Sequence, residues 1–318
     1  MMIIEPIYGD ALVFASLLTL LSLGLTLTFL TTKVPNFAHG SFATVGIYTT
    51  LTLNRIYGLS PYAAAAVAFI VGALVALAQY DFILRPLSRR GASIVTLMVA
   101  TIAFEFILLA SLNIYADFIT ETFKVKARYF SLRREDFVIE GIRGLLMVAP
   151  SLVVALAIVL HLCLTRTKFG VAMRAAIENP SLAGSLGVNV DLVYHVSWFL
   201  AGGLAGLAGG LMPLWFIGNP DTGSLLLVSI FAASVAGGFY SIYGGFIGGY
   251  LIGLAEVLGT NFLSKAVGAW MISYRMVIPL MTMTVVLLLF PKGVTGLISE
   301  LRASGKLSGL LRRWSRRP

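Results

Sequence analysis

Apolar runs of about 20 residues, the length that crosses a bilayer as a helix, recur from one end of this chain to the other and set the terms for whatever it folds into. They fall at 11–31, 36–54, 61–84, 92–115, 146–164, 192–216, 223–240, 244–262 and 275–290. The expected fold is an all-α polytopic integral membrane protein with eight or nine transmembrane helices. The count turns on 36–54, which opens with Pro35-Asn36 and is read either as a full crossing or as a broken or re-entrant helix. Such a form is tolerated at membrane depth only against protein or a water-filled cavity. Hydrophobic residues make up 58% of the chain, charged residues 12%, and mean hydropathy is +0.92. A soluble domain of that composition would expose an enormous apolar patch.

Charge sets the expected orientation. If the loops near Lys33, 85–91 and 165–191 face the cytoplasm with the C-terminus, they hold 14 of the 23 Lys and Arg against 4 acids, while the other side holds 9 against 8. That is a positive-inside pattern with the N-terminus outside and the C-terminus cytoplasmic. The first residues lack the positive stretch of a signal peptide and run into an apolar segment too long for one, so an uncleaved first span is expected. Residues 1–300 form a single transmembrane domain on this reading, and 301–318 a cytoplasmic tail with six basic residues that anchors topology on anionic lipid. Nothing points to nucleic acid.

Two polar or unusual stretches interrupt the apolar pattern. The first, 165–191, contains its own start and stop signals: Asn179 as N-cap, Pro180 at the first helical position, and Gly187 to end the helix. Leu182, Ala183 and Leu186 are expected to share one face, beside Arg166, Lys168, Arg174 and Glu178. A capped short helix on the basic side is what a soluble protein would need in order to push on a membrane subunit. The second signal is glycine spaced by four, at Gly202, Gly206 and Gly210 and again at Gly245, Gly249 and Gly253. Small residues at that spacing let helices approach closely in lipid, as packing faces or as sliding surfaces.

Chemistry is scarce. The pair Gly305-Lys306 is followed by Leu307 and preceded at the phosphate-loop distance by Glu300, so no ATP-binding loop is present. His39, His161 and His195 lack metal-ligand spacing, no nucleophile elbow occurs, and the lone Cys163 excludes a disulfide framework. The chain reads as no enzyme, with no cofactor and no metal.

Four stretches carry a resemblance: Asn36-Phe37-Ala38-His39-Gly40 after the first span, the loop KFGVAMRAAIENPSLAGSLGVN, the glycine-rich run at 231–258, and the close Phe290-Pro291-Lys292-Gly293. Their order and spacing resemble the permease of branched-chain amino acid ABC importers over residues 11–297. With Ser41-Phe42 following, the first motif is similar to the first of that family's two permease subunits. The resemblance implies a cell-membrane permease that pairs with a second permease, two cytoplasmic ATPases that hydrolyse ATP, and an external amino-acid-binding protein. One departure is that 165–191 lacks a literal Glu-Ala-Ala coupling triplet, offering Ala175-Ala176-Ile177-Glu178 and Leu182-Ala183-Gly184 instead.

Asn36 can cap a helix whose first turn is Phe37, Ala38 and His39, leaving amide donors and the positive dipole end at the chain reversal. With Gly40, Ser41 and the intramembrane Glu105, these residues are the expected border of a substrate route; the plainer alternative is a capped helix with His39 bonded to a neighbouring carbonyl. Glu105 and Glu256 lie within spans, where a charge must face a cavity or be protonated, or the carboxyl be hydrogen-bonded near a helix end. A rival reading is a self-sufficient secondary transporter or channel using Glu105, Glu256 and His39. Finally, residues 123–129 in the external segment 116–145 alternate apolar and basic, which predicts a β-hairpin with 137–139 presenting Lys124, Lys126 and Arg128 outward together.

Overall fold

The computed structural model of the chain describes residues 6–239 and 241–296, so the basic tail expected at 301–318 lies outside the described residues. The chain folds as α1 (Pro6–Thr32), α2 (His39–Arg55), α3 (Pro61–Gln79), α4 (Arg85–Arg89), α5 (Ile94–Phe123), α6 (Gly144–Arg166), α7 (Lys168–Glu178), α8 (Pro180–Ser185), α9 (Val190–Leu211), α10 (Thr222–Gly237), α11 (Ile242–Val267) and α12 (Val277–Leu289). It is an all-α polytopic membrane protein.

Among the described residues, seven segments are long and apolar enough to cross a bilayer: Pro6–Thr32, Pro61–Arg89, Ile94–Phe123, Gly144–Arg166, Val190–Leu214, Ile242–Val267 and Val277–Gly296. The expected eight or nine is therefore too many by this measure. Helices α2 and α10, with 17 and 16 residues, fall short. Helix α2 is continuous rather than broken. What is non-helical is the lead-in, 33–38, where Pro35 lacks a donor and keeps the residue before it out of the helical region.

At the centre stands α1, buried at every residue from Val13 to Thr28. It is apolar on all sides, and most of its hydroxyls bond back to the preceding turn, as Thr19 does to the Ala15 carbonyl (2.7 Å) and Ser16 to that of Leu12 (2.7 Å), while Ser22 pairs with Ser234 of α10 (3.0 Å). Helices α6, α9, α10 and α11 pack around it. The close crossings are made by glycine. A Cβ on Gly249 would lie 2.5 Å from Thr19 Oγ1, one on Gly245 3.2 Å from Leu23 Cα, and one on Gly210 3.0 Å from Ala65 Cα. Gly253 sits against Ala15, Gly202 against Gly72 and Ala76, and Gly206 against Ala68. The first turns of α2 and α10 meet backbone to backbone at Gly40 and Gly223.

A π-helical turn, Tyr80–Leu84, joins α3 to α4. Pro86 supplies the reason: it cannot donate to the carbonyl four residues back, and one widened turn keeps its ring clear of that carbonyl. The hairpin in 116–145 differs from the expected one. Val138–Ile139 pairs with Ile142–Arg143, and Glu140 and Gly141, both at positive φ (50° and 82°), form the two-residue turn that strand twist favours. Phe123 instead ends α5, and Lys124 follows in the left-handed region (φ 57°). Residues 125–128 still alternate, with Val125 and Ala127 turned in and Lys126 and Arg128 out, but Tyr129 is exposed and no strand among the described residues pairs with them. The basic row is also split, because Arg128 folds back onto Asp117 (2.7 and 2.8 Å) and Asn113 (3.1 Å). The Asp117 carboxylate raises the Arg128 pKa further.

Candidate translocation core and coupling helix

The Asn36–Ser41 segment is anchored rather than open. Asn36 Oδ1 accepts from the Ala38 amide (3.1 Å) and from Gln79 Nε2 (2.9 Å), which closes a turn onto its own second neighbour. That turn corrects the expected cap: the helix starts at His39, two residues later than Phe37, and the residue before it is Ala38. The Phe37 amide donates to Thr101 Oγ1 of α5 (3.2 Å), and the half-buried Phe37 ring lies 5.2 Å from that of Phe231. Asn36, Ala38, His39, Gly40 and Ser41 are all fully buried. His39 Nε2 meets the Leu21 carbonyl at 2.9 Å, with the ring against Gly24 of α1. Its Nδ1, with Ser41 Oγ and Asn36 Nδ2, has no hydrogen-bond partner among the described residues.

The two intramembrane carboxylates both serve α10. Glu105 Oε1 accepts from Ser224 Oγ (2.5 Å), in the first turn of α10, while its buried Oε2 has no partner among the described residues. Glu256, on α11, accepts from Ser229 Oγ (2.7 Å) and from Arg275 Nε and Nη2 (3.0 and 2.9 Å). A carboxylate buried this deeply needs such pairing, because an uncompensated buried charge is strongly destabilising. No hydrogen bond among the described residues joins His39, Glu105 and Glu256 to one another. Gln79, Thr101, Ser224, Ser229 and Arg275 were not singled out in the sequence, because each acts on a residue far along the chain and none belongs to a local motif.

Residues 165–191 form two helices. α7 is capped by Thr167, whose Oγ1 accepts from the Gly170 amide (3.1 Å), and it buries Gly170, Met173 and Ala176. Arg174 on its outer side donates to the Leu164 carbonyl at the end of α6. Asn179 Oδ1 then accepts from the Leu182 amide (3.0 Å) and starts α8 at Pro180. The helix ends with the Val188 amide on the Ala183 carbonyl (3.0 Å) and the Gly187 amide on that of Gly184 (3.0 Å), with Gly187 at φ +86°. Leu182 and Leu186 are 57% and 76% exposed, whereas Ala183 is buried beneath them. Ala183 thus faces the bundle and not the side that the two leucines present. Glu178 and Asn179 are exposed beside them.

An ionic network connects this loop to α3 and α4. Asp191, in the first turn of α9, accepts from Arg85 (2.7 Å) and Arg89 (2.8 Å), and Asp81 in the π-helical turn meets His195 Nε2 at 2.8 Å. Asn189 caps α9 through the Leu192 amide (3.0 Å). A short connection therefore joins α8 to α9, and Asp191 and His195 tie α9 to α4 and to the turn that follows α3.

The family described as branched-chain amino acid transport system, permease component, matches over residues 7–287. The probable branched-chain amino acid transport permease protein LivH of Methanocaldococcus jannaschii is 45% identical over 292 residues, spanning 92% of each chain. The high-affinity branched-chain amino acid transport system permease protein LivH of Escherichia coli is 25% identical over 90% of this chain and 94% of its own. BraD of Pseudomonas aeruginosa, described in the same words, is 25% identical with the same coverage. Among solved structures, a chain of PsaBC from Streptococcus pneumoniae in complex with Fab shares the fold with a TM-score of 0.50 at 13% identity, over 88% of this chain and 91% of that one.

Proposed function

This chain belongs to the family of branched-chain amino acid transport permease components, and from that premise we propose that it works as the membrane subunit of an ATP-driven importer for leucine, isoleucine, valine or similar apolar amino acids. Its partners are a second permease, two cytoplasmic ATPases and an external amino-acid-binding protein. The N-terminus lies outside and the C-terminus inside, with residues 1–300 as one permease domain and 116–145 on the outer side.

The observation that carries this reading is α8, a helix capped at both ends whose two leucines point away from the bundle. Leu182 and Leu186 enter a groove on the ATPase, with Arg174, Glu178, Asn179 and Gly187 around it and Ala183 as the floor. ATP-driven movement of α8 shifts α9, and the Asp191 and His195 bonds pass the shift to α3. Because α9 crosses α2 and α3 at glycines, the helices can slide without interdigitated side chains resisting. The α2 and α10 N-termini, with Asn36, Phe37, Ala38, His39, Gly40, Ser41 and Glu105, border the route that opens.

The secondary-transporter reading needs Glu105, Glu256 and His39 to exchange protons, and their hydrogen bonds go instead to Leu21, Ser224, Ser229 and Arg275. Reconstitution tests the choice. The complete assembly in proteoliposomes should take up labelled leucine only with ATP inside reach of the ATPases. The chain alone should move none on a proton or sodium gradient, and robust gradient-driven uptake by it would overturn the proposal.

A further inference from the structure

A cavity of about 220 Å³ lies near the end of the bundle where α1 begins, and a second of about 330 Å³ shares Phe216, Glu256 and Arg275 with it. By this measure one water needs about 10–15 Å³, so the first is large enough for one small organic molecule. Its walls are mixed in an ordered way. Phe14, Phe216, Ile217, Leu225 and Met276 supply apolar surface, and Glu256 and Arg275 supply one charged locus.

The donors and acceptors at that locus are not exhausted. A guanidinium has five N–H groups and an ionised carboxylate about four lone-pair sites. Arg275 spends Nε and Nη2 on Glu256, and Nη1 has no hydrogen-bond partner among the described residues. Glu256 accepts from Arg275 twice and from Ser229 once, leaving about one site for a further donor. Arg275 is half exposed and lies over the Phe14 ring, 5.4 Å from its centroid, so its outer edge is held in place while remaining reachable.

We propose that this cavity binds a zwitterionic α-amino acid with an apolar side chain, within one copy of the chain and apart from the Asn36–Ser41 segment. The ligand carboxylate takes Arg275 Nη1, the ammonium takes the remaining site on Glu256, and the side chain lies among Phe216, Ile217 and Leu225. A molecule bearing only one of the two charges leaves either the guanidinium edge or the carboxylate unmatched. The choice of an apolar amino acid rests on the transport reading, but the site itself is defined by the paired charges.

The test is equilibrium binding of tritiated leucine to the purified full-length chain in nanodiscs, without partner subunits. Saturable binding is expected, displaced by unlabelled leucine and at least about tenfold less well by 4-methylpentanoate or 3-methylbutylamine, each of which forfeits a charge-assisted hydrogen bond. Arg275→Lys, which can keep the pairing with Glu256 but has no Nη1, should weaken binding by about tenfold or more. Ile217→Trp, at a position 64% exposed and outside the ion pair, should abolish it by filling the cavity. Absence of saturable binding to the wild-type chain overturns the site, as does wild-type binding by Ile217→Trp or equal competition by the amine or the acid. If the chain binds leucine as described but the full assembly does not transport it, the site stands and the transport reading fails. If the assembly transports leucine and the chain alone binds none, the reverse holds.

Discussion

Replacement of Gly72 by alanine probes the packing on which a sliding mechanism depends. A Cβ at this α3 position would stand 2.5 Å from the Gly202 carbonyl oxygen, 2.9 Å from Gly206 Cα and 3.1 Å from Gly206 N. All three are backbone atoms of α9, so no side chain can turn aside. To reach an ordinary contact of 3.4 Å from 2.5 Å, one helix must retreat by 0.9 Å along a crossing that is the most extensive in the fold. Overpacking costs about 1–3 kcal/mol, and an unyielding contact sits at the upper end. Alanine's better helix propensity returns up to about 1 kcal/mol, leaving a net loss of about 2 kcal/mol. Gly210→Ala should cost less, because its nearest neighbour, at 2.8 Å, is the Thr50 hydroxyl, which can rotate. Gly184→Ala, in α8 with nothing within 4 Å, should leave stability unchanged or slightly raised. Unfolding free energies by steric trapping in bicelles would rank the three. The reasoning is refuted if Gly72→Ala is as stable as the wild type, or if Gly210→Ala is the more damaging.

Two further outcomes follow. Asp191→Asn removes the charge that holds Arg85 and Arg89, so it should lower substrate-stimulated ATP hydrolysis in the reconstituted assembly while basal hydrolysis by the ATPases persists; these partly exposed pairs contribute about 0.2–1 kcal/mol each, so stability should change little by thermal denaturation. Charge reversal at Lys124 and Lys126, which remain exposed although Arg128 is held by Asp117, should raise the binding-protein concentration for half-maximal transport at low salt and less so at high salt; no change at low ionic strength would show that the segment plays no part in docking.

What could be read from the sequence was what is decided locally. The start and stop of α8 were legible because a cap is a bond from Asn179 to an amide three residues on, and a C-terminal glycine needs only its own φ. The apolar runs likewise announced a helical membrane protein. The misreadings share a cause in contacts distant along the chain. Asn36 would cap the helix at Phe37, but Gln79, 43 residues away, holds its side chain in a turn that delays the start to His39. Alternation at 123–129 arises because an irregular segment lies across the bundle with Ala127 tucked in, which mimics a strand without a partner. The hairpin that does form turns at Glu140 and Gly141, a short-range signal that lies outside the longer alternating pattern. The pairing of Glu105 with Ser224, and of Glu256 with Ser229 and Arg275, depends on how α10 is seated, which no single segment encodes.

The central claim is that α8 receives the force of ATP hydrolysis through its two outward leucines. The most direct measurement is leucine uptake and substrate-stimulated ATP hydrolysis by the complete assembly in proteoliposomes, with Leu182→Asp or Leu186→Asp in this chain. A carboxylate forced into an apolar groove without a partner costs several kcal/mol, enough to prevent docking. The account predicts normal membrane insertion and a monodisperse chain, since both positions are exposed, together with loss of uptake and of stimulated hydrolysis in each variant. Full coupled transport by either variant would contradict it.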